Sequence, residues 1–214
     1  MKKIFYLLAT IFILIISTSH IFAQNTTSNC DCDITIDDPS TPISPQTNTT
    51  ICLEGNFTYT QGILLGANST LCIGENVILT GNLDVTNYGD DSTTINNYGT
   101  IYSNFGSFFR NFNIYNYGTI NTNLDFNANL NPYLLNNGTF ISTNNYQTIS
   151  SGTIDNNGIL EFHNLTLNQN FNLNTTETSY INMSNNFDIN GSHDFQGEIE
   201  VQNNMNICPI SQHC

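Results

Sequence analysis

The chain has 214 residues, of which only three are Lys or Arg and 17 are Asp or Glu. Two of the three basic residues lie in an N-terminal segment that we expect to be removed, which leaves Arg110 against 17 acidic residues and a net charge of −16. A surface with so few cations repels phosphate backbones and anionic lipids, so this composition excludes a nucleic-acid partner and argues against binding to an acidic membrane.

Residues 1–23 have the composition of an export signal. Two lysines precede an almost wholly apolar run from Ile4 to Ile16, and Ala23 supplies a small residue before a cleavage site at Gln24. The apolar run is too short to span a bilayer comfortably, and no later segment is apolar for long enough to do so. We therefore predict a secreted protein, extracellular or at the cell surface, with no membrane span after cleavage. A retained N-terminal anchor is the alternative.

The composition changes twice after the signal. Residues 24–49 carry three prolines among Ser, Thr and Asp, which is typical of a leader or linker, and this segment contains Cys30 and Cys32. Residues 50–207 have regularly recurring apolar positions and are predicted to form the folded domain. Residues 208–214 are then a short C-terminal tail.

The folded domain contains an internal repeat. The motifs "NYGT" and "NNGT", or a close variant, recur with glycines at steps of 19, 20 and 20 residues: Gly99, Gly118, Gly138 and Gly158. Short segments such as Leu83-Asp84-Val85 alternate apolar and polar residues, as a strand with one buried face does. A period of about 20 residues without a helical pattern predicts an all-β, single-stranded parallel β-helix, or β-solenoid, of about seven or eight coils.

The competing architecture is a β-sandwich, because Asn-Gly also marks hairpin turns. Hairpins would place turn signals roughly every 8–12 residues, about half the observed period, so the solenoid is favoured. In the solenoid the four glycines should occupy one corner, and Ile95, Ile114, Leu134 or Leu135, and Ile154 should form one inward column. Asn in successive coils is expected to form hydrogen-bonded ladders.

The Phe-Ala-Gln end of the signal and the stacked Asn-rich coils resemble the secreted, Asn-rich parallel β-helix proteins of Bacteroidota-type bacteria. The resemblance covers roughly residues 50–208. It implies a parallel β-helix and an adhesin-like role at or outside the cell surface, and it implies no particular activity.

Six cysteines in an exported chain predict disulfides rather than metal ligands. Cys52 and Cys72 lie one repeat apart, so they should be about one strand spacing from each other and are predicted to be linked. Cys30 and Cys32 are expected to tie down the leader, and Cys208 and Cys214 to close a terminal loop. The alternatives are stacked free thiols at the first pair and a zinc site formed by the other four cysteines.

The sequence offers little catalytic chemistry. Arg110 is the one cation of the mature chain, and it is expected to stack on a ring of the surrounding Phe cluster. Asp155 and Glu161 flank one corner, and Glu198 and Glu200 share a strand face, so these pairs are candidates for the two carboxylates of glycoside hydrolysis. Solvent-facing charge explains them as well. We predict no catalytic residue, no cofactor and no enzyme activity.

Metal binding is not expected either. His163 and His193 lie one and a half coils apart, so they should not share a face. Aspartates cluster in the leader and at Asp90-Asp91, without the spacing of a calcium loop. No metal site is therefore predicted.

These features favour a secreted structural or adhesive module whose outward Asn, Thr and Tyr contact neutral glycans or surfaces. A carbohydrate-active β-helix enzyme and an ice-binding solenoid are the alternatives. The second of these requires a Thr-x-Thr in each coil. Thr47-Asn48-Thr49 and Thr58-Tyr59-Thr60 fit, but the pattern does not continue along the chain.

Overall fold

In a computed structural model, the chain folds into an all-β solenoid. The structure describes residues 30–44, 46–85, 92–103, 112–124, 132–145, 147–190, 193 and 195–208. These residues contain 22 strands and no helix. Every pair of neighbouring strands among them is parallel, and the coils repeat about every 20 residues over about seven turns. The predicted parallel β-helix is therefore confirmed, and the hairpin-based sandwich is excluded.

Each coil contributes its first strand to one eight-stranded sheet, which we call sheet A. In order across the sheet its strands are β1 (Ile34–Ile36), β2 (Thr50–Leu53), β5 (Thr70–Ile73), β8 (Thr93–Asn97), β10 (Phe112–Asn116), β12 (Tyr133–Asn136), β15 (Gly152–Asn156) and β18 (Phe171–Thr175).

The second strand of each coil lies in another eight-stranded sheet, sheet B. From the N-terminal to the C-terminal end its strands are β3 (Phe57–Tyr59), β6 (Val77–Leu79), β9 (Thr100–Ser103), β11 (Thr119–Thr122), β13 (Thr139–Ser142), β16 (Ile159–Phe162), β19 (Tyr180–Met183) and β21 (Glu198–Val201).

The third strands form two shorter sheets. The two-stranded sheet contains β4 (Ile63–Leu65) and β7 (Leu83–Val85). The four-stranded sheet contains β14 (Gln147–Ile149), β17 (Leu165–Leu167), β20 (Asn186–Asn190) and β22 (Asn204–Cys208). The third side of the two coils that begin with β8 and β10 lies outside the described residues.

Strand alternation places one buried aliphatic column along the inside of sheet A. Ile114 pairs in register with Ile95 on one side and Leu134 on the other, and Leu134 pairs with Ile154. All four side chains are buried, whereas Leu135 points outward and is half-buried. The predicted inward column is confirmed, with Leu134 as its third member.

The repeated glycines occupy one corner of successive coils, also as predicted. The amide of Thr119 donates to the carbonyl of Gly99, and the amide of Thr139 donates to the carbonyl of Gly118 in the same way. None of the four repeated glycines has a positive φ. A Cβ at Gly118, for example, would collide with the carbonyl oxygen of Gly99, so the close approach of neighbouring backbones requires glycine here.

Part of the predicted leader belongs to the solenoid. Strand β1 pairs in parallel with β2, with Ile34 opposite Ile51, so sheet A begins before the predicted boundary at residue 50. The following segment runs along the first coil, where Tyr59 Oη donates to the Thr41 carbonyl at 2.8 Å. The prolines and aspartates around Ile34-Thr35-Ile36 obscure a short alternating strand. The predicted signal at residues 1–23 and the tail after Cys208 lie outside the described residues.

The disulfide pairing differs from the prediction. Cys52 and Cys72 are neighbours in register, but the bonds are Cys30–Cys72 and Cys32–Cys52, with Cα–Cα distances of 6.5 and 5.8 Å. Cys52 and Cys72 alternate along their strands with inward-facing core residues, so their side chains point outward from sheet A. Both are nevertheless fully buried. The leader covers them, so each sulfur bonds to a cysteine above the sheet and not to its neighbour within it.

Candidate functional site: a neutral, tyrosine-rich belt

Charged residues are absent from the middle of the described chain. Residues 92–103, 112–124 and 132–145 contain no Asp, Glu, Lys, Arg or His, and we call them the neutral belt. The described acidic residues lie on either side, up to Asp84 and from Asp155 onward. Arg110 and Asp125 belong to the intervening segments, which the structure does not describe. The belt consists of strands β8 to β13.

A buried ladder of asparagines holds the belt in register. Asn97 Nδ2 donates to Asn116 Oδ1 at 2.8 Å, Asn116 Nδ2 donates to Asn136 Oδ1 at 2.7 Å, and Asn136 Nδ2 donates to Asn156 Oδ1 at 2.8 Å. Each of these amides also donates to a backbone carbonyl just past the corner of the next coil, for example from Asn116 to Thr139 at 3.0 Å. The second bond joins adjacent coils at the corner, so the ladder stiffens the turn that leads into sheet B.

The ladder ends where the sequence changes. Asn97 pairs in register with Ile73 of the preceding coil, and Asn156 pairs with Thr175 of the following one. Because Ile73 offers no polar group, the buried Oδ1 of Asn97 has no hydrogen-bond partner. The sequence predicted Asn ladders in general, and the structure shows this one at the corner position before the glycine.

Four tyrosines of the belt lie at the corner and along the outer face of sheet A. The rings of Tyr98 and Tyr117 stack with centroids 5.0 Å apart and an interplanar angle of 5°. Tyr115 and Tyr133 lie 5.7 Å apart with tilted rings. Tyr117 remains 44% exposed. Successive coils thus present ring faces and edges along one side of the solenoid.

One tyrosine at the edge of the belt binds an acidic residue. Tyr133 Oη donates to Asp155 Oδ2 at 2.8 Å, and Asn174 Nδ2 donates to the other oxygen of Asp155 at 2.7 Å. Burial, followed by the bond to Asp155, raises the pKa of Tyr133 to about 12. Both oxygens of Asp155 therefore have protein donors. Glu161 lies on sheet B, around the corner from Asp155 on sheet A.

The fifth tyrosine of the belt stands on the outer face of sheet B. Tyr102 is 52% exposed and pairs in register with Asn121 of the next coil. A shallow groove of about 180 Å³ lies beside it. Its walls are Thr80, Asn82, Tyr102, Asn121 and Thr143. The groove is polar and lacks any charged lining residue.

The other predicted carboxylate pair lies outside the belt. Glu198 and Glu200 share the outer face of β21, as the sequence indicates. Tyr180 Oη donates to Glu200 Oε2 at 2.6 Å, and this hydrogen bond is the main cause that raises the pKa of Tyr180 to about 12. Glu200 thus forms a hydrogen bond along a column of outward side chains.

The histidines lie in separate surroundings. His163 Nδ1 lies 2.7 Å from Ser184 Oγ, a pairing between consecutive corners that sequence spacing did not reveal. Both groups are exposed. His193 packs against Phe195, and burial lowers its pKa. The two histidines thus have different neighbours, Ser184 for His163 and Phe195 for His193.

Three potential metal ligands do converge near the N-terminus. Cys32, Cys52 and Glu54 have ligand atoms within 4.8 Å of one another. The two sulfurs form a disulfide, so they are not thiolate ligands. In the aspartate cluster of the leader, Asp38 accepts two bonds from Ser40 that lower its pKa, and Asp33 Oδ2 accepts the amide of Thr50 at 2.8 Å. Asp90-Asp91, Cys214 and the side chain of Cys208 lie outside the described part of the structure.

A threonine column on sheet B is too narrow for the array that ice binding requires. Thr100, Thr119 and Thr139 are in register on the outer face. The next outward column of sheet B holds Tyr102, Asn121, Ile141 and Glu161, so the described strands of this sheet have no second threonine column beside the first. Another set of three threonines in register, Thr50, Thr70 and Thr94, is on sheet A. The protruding Tyr102 also interrupts the flat surface.

Comparisons with protein-family models, with curated proteins and with solved structures yield no match to this chain. In the described residues no helix is long and apolar enough to cross a membrane.

Proposed function

We propose that this protein is a secreted structural or adhesive β-solenoid module, without catalytic activity, whose neutral belt contacts neutral glycans. The observation that carries the proposal is the placement of five outward tyrosines in the described belt residues, which carry no charge, between acidic coils on both sides. The adhesin-like role rests in addition on the resemblance to secreted Asn-rich β-helix proteins.

The charge distribution of the solenoid favours a neutral ligand over an anionic one. The acidic coils on both sides of the belt repel anionic polymers, whereas a neutral glycan has no charge to be repelled. Tyrosine presents a large ring face to the apolar side of a sugar ring and a hydroxyl group for hydrogen bonding. Neighbouring Asn and Thr side chains supply further donors and acceptors for sugar hydroxyls.

Rigidity favours binding by the same surface. The asparagine ladder and the stacked Tyr98 and Tyr117 rings hold the belt before any ligand arrives. A preorganised surface loses less conformational entropy when it binds, so weak individual contacts can add up along a polymer.

The two disulfides support placement outside the cytoplasm. Such bonds form and persist in oxidising compartments, and here they join Cys30 to Cys72 and Cys32 to Cys52. Together with the signal-like residues 1–23, they are consistent with export.

Binding of the oxidised protein to insoluble polysaccharides tests the proposal. We expect retention on neutral cellulose or mannan that does not depend on salt, and no retention on anionic alginate. The triple variant Tyr102→Ala/Tyr115→Ala/Tyr117→Ala should lower the affinity at least about tenfold. Tyr180→Ala, which removes an outward tyrosine beyond the belt, is the matched control. Retention on alginate alone, or equal binding by the triple variant, would contradict the proposal.

A further inference from the structure

We propose that the groove beside Tyr102 is a binding site for one uncharged sugar ring of a longer glycan. This inference rests on the proposed function and assigns it to one face of the belt. The sugar ring stacks on the exposed face of Tyr102, and the carboxamides of Asn82 and Asn121 bind its hydroxyls.

Four successive coils bring the groove residues together, from Thr80 and Asn82 in the first to Thr143 in the last. Thr80 follows Leu79, which pairs with Ile101, so Thr80 is the outward neighbour of Tyr102 on the N-terminal side. Asn121 is the register partner of Tyr102 on the C-terminal side. Neighbouring strands lie about 4.8 Å apart, so polar groups flank the tyrosine ring on both sides. Tyr102 therefore has a polar residue about one strand spacing away on each side.

The two asparagines of the groove differ from those of the ladders. Among the described residues, the side chains of Asn82 and Asn121 form no hydrogen bond with the protein. The side chain of Asn121 forms no such bond because its register neighbours in the column are Tyr102 and Ile141, and neither continues an amide ladder. A free carboxamide beside an exposed ring can donate to and accept from sugar hydroxyls.

The polar side chains at the floor of the groove already have hydrogen-bond partners within the protein, so the floor is rigid. Ser103 and Thr122 are buried there. Ser103 Oγ donates to the Gly81 carbonyl, and Thr122 Oγ1 accepts the amide of Leu124 at 3.1 Å. A ligand consequently forms its hydrogen bonds with the free side chains on the walls, and the floor does not need to rearrange.

Size and charge define the ligand. The volume of about 180 Å³ is smaller than the roughly 300–1,000 Å³ of pockets that hold drug-sized molecules, so the groove suits a single ring. Every lining side chain is uncharged. The nearby acidic residue Asp84, two positions after Asn82 on the same strand face, disfavours a uronic or sialic acid.

Titration of the oxidised full chain with the neutral hexasaccharides of cellulose and mannan tests the assignment. Tyr102→Ala and Asn121→Ala should each weaken binding by about tenfold, while Tyr102→Phe should stay close to the parent because it keeps the ring. The matched controls lie beyond the belt: Tyr180→Ala removes an outward tyrosine of β19, and Asn172→Ala removes an outward asparagine of β18. Both controls should bind like the parent.

The possible outcomes distinguish a failure of the groove assignment from a failure of the proposed glycan binding. If Tyr117→Ala loses binding and Tyr102→Ala does not, the groove assignment is overturned and glycan binding by the belt remains. If the parent protein binds neither hexasaccharide nor the insoluble neutral polysaccharides, both proposals fail. Unchanged thermal unfolding of Tyr102→Ala verifies that a loss of binding is local.

Discussion

The first coils and the middle coils solve the same packing problem with different chemistry. At the corner position before the turn into sheet B, the first coils place Leu53 and Ile73, and the later coils place Asn97, Asn116 and Asn136 in the same column. All of these side chains are buried. The first coils depend on apolar burial and two disulfides, whereas the middle coils depend on a directional hydrogen-bond ladder.

The difference follows from the properties of the two interactions. Apolar burial is non-directional, so aliphatic residues tolerate small shifts between coils. Two disulfides join the first coils to the leader, which supplies β1 at the edge of sheet A, and such covalent links restrict the unfolded chain. An amide ladder satisfies each buried carboxamide only when the adjacent coil supplies another one in register. Where the apolar column meets the amide ladder, Asn97 has no amide neighbour on one side, and its buried Oδ1 lacks a hydrogen-bond partner.

Loss of the disulfides should have the largest effect, and it should be confined to the first coils. The bonds close loops with sequence separations of 42 and 20 residues. The chain-entropy relation gives about 3–4 kcal/mol for each. We expect Cys30→Ser/Cys32→Ser/Cys52→Ser/Cys72→Ser to lose hydrogen-exchange protection in β1 to β7 while β10 to β15 stay protected. Uniform loss along the solenoid would show that the two regions unfold as one unit.

Interruption of the ladder should destabilise the middle coils to an extent that depends on position. Asn136→Leu removes the acceptor of Asn116 and the donor to Asn156, so it should cost about 2–4 kcal/mol in unfolding free energy. Asn97→Leu is the matched control: its Oδ1 is already unpaired and it adjoins Ile73, so it should cost about half as much. Urea denaturation measures both. Equal losses would mean that the ladder contributes as side-chain volume rather than as hydrogen bonds.

Alkaline pH should produce the smallest effect, and the part of it that depends on Tyr133 acts at the C-terminal side of the ladder region. The pKa of Tyr133 is raised from the usual tyrosine value of about 10 to about 12 in the folded protein. Its contribution to stability is therefore present below pH 10 and is lost as the pH rises toward 12. Tyr133→Phe should remove this part of the pH dependence. Ultraviolet titration of tyrosinate checks the pKa, and an unshifted titration of Tyr133 would contradict the bond to Asp155.

Much of the architecture could be predicted because the repeat is encoded locally. The glycine at each corner and the alternating aliphatic residues recur every coil, and each imposes the same geometry wherever it occurs. The sequence does not reveal the short strand Ile34–Ile36 because three residues between Asp33 and Asp37 carry too little periodicity to stand out. The candidate site was predicted only as a chemical type, outward Asn, Thr and Tyr, because a groove depends on which residues become neighbours.

The sequence alone therefore determined the period, the inward column from Ile95 to Ile154 and the stacking of the four glycines, since each follows from a pattern within about 20 residues. The tertiary structure decided which cysteines bond and which asparagines remain free. Cys52 and Cys72 bond to the leader because its path crosses sheet A above them. Asn121 is free because its register neighbours are Tyr102 and Ile141, whereas Asn116 is bonded because its neighbours are asparagines. The same residue type in one coil thus acquires two roles from contacts that lie a full coil away in sequence.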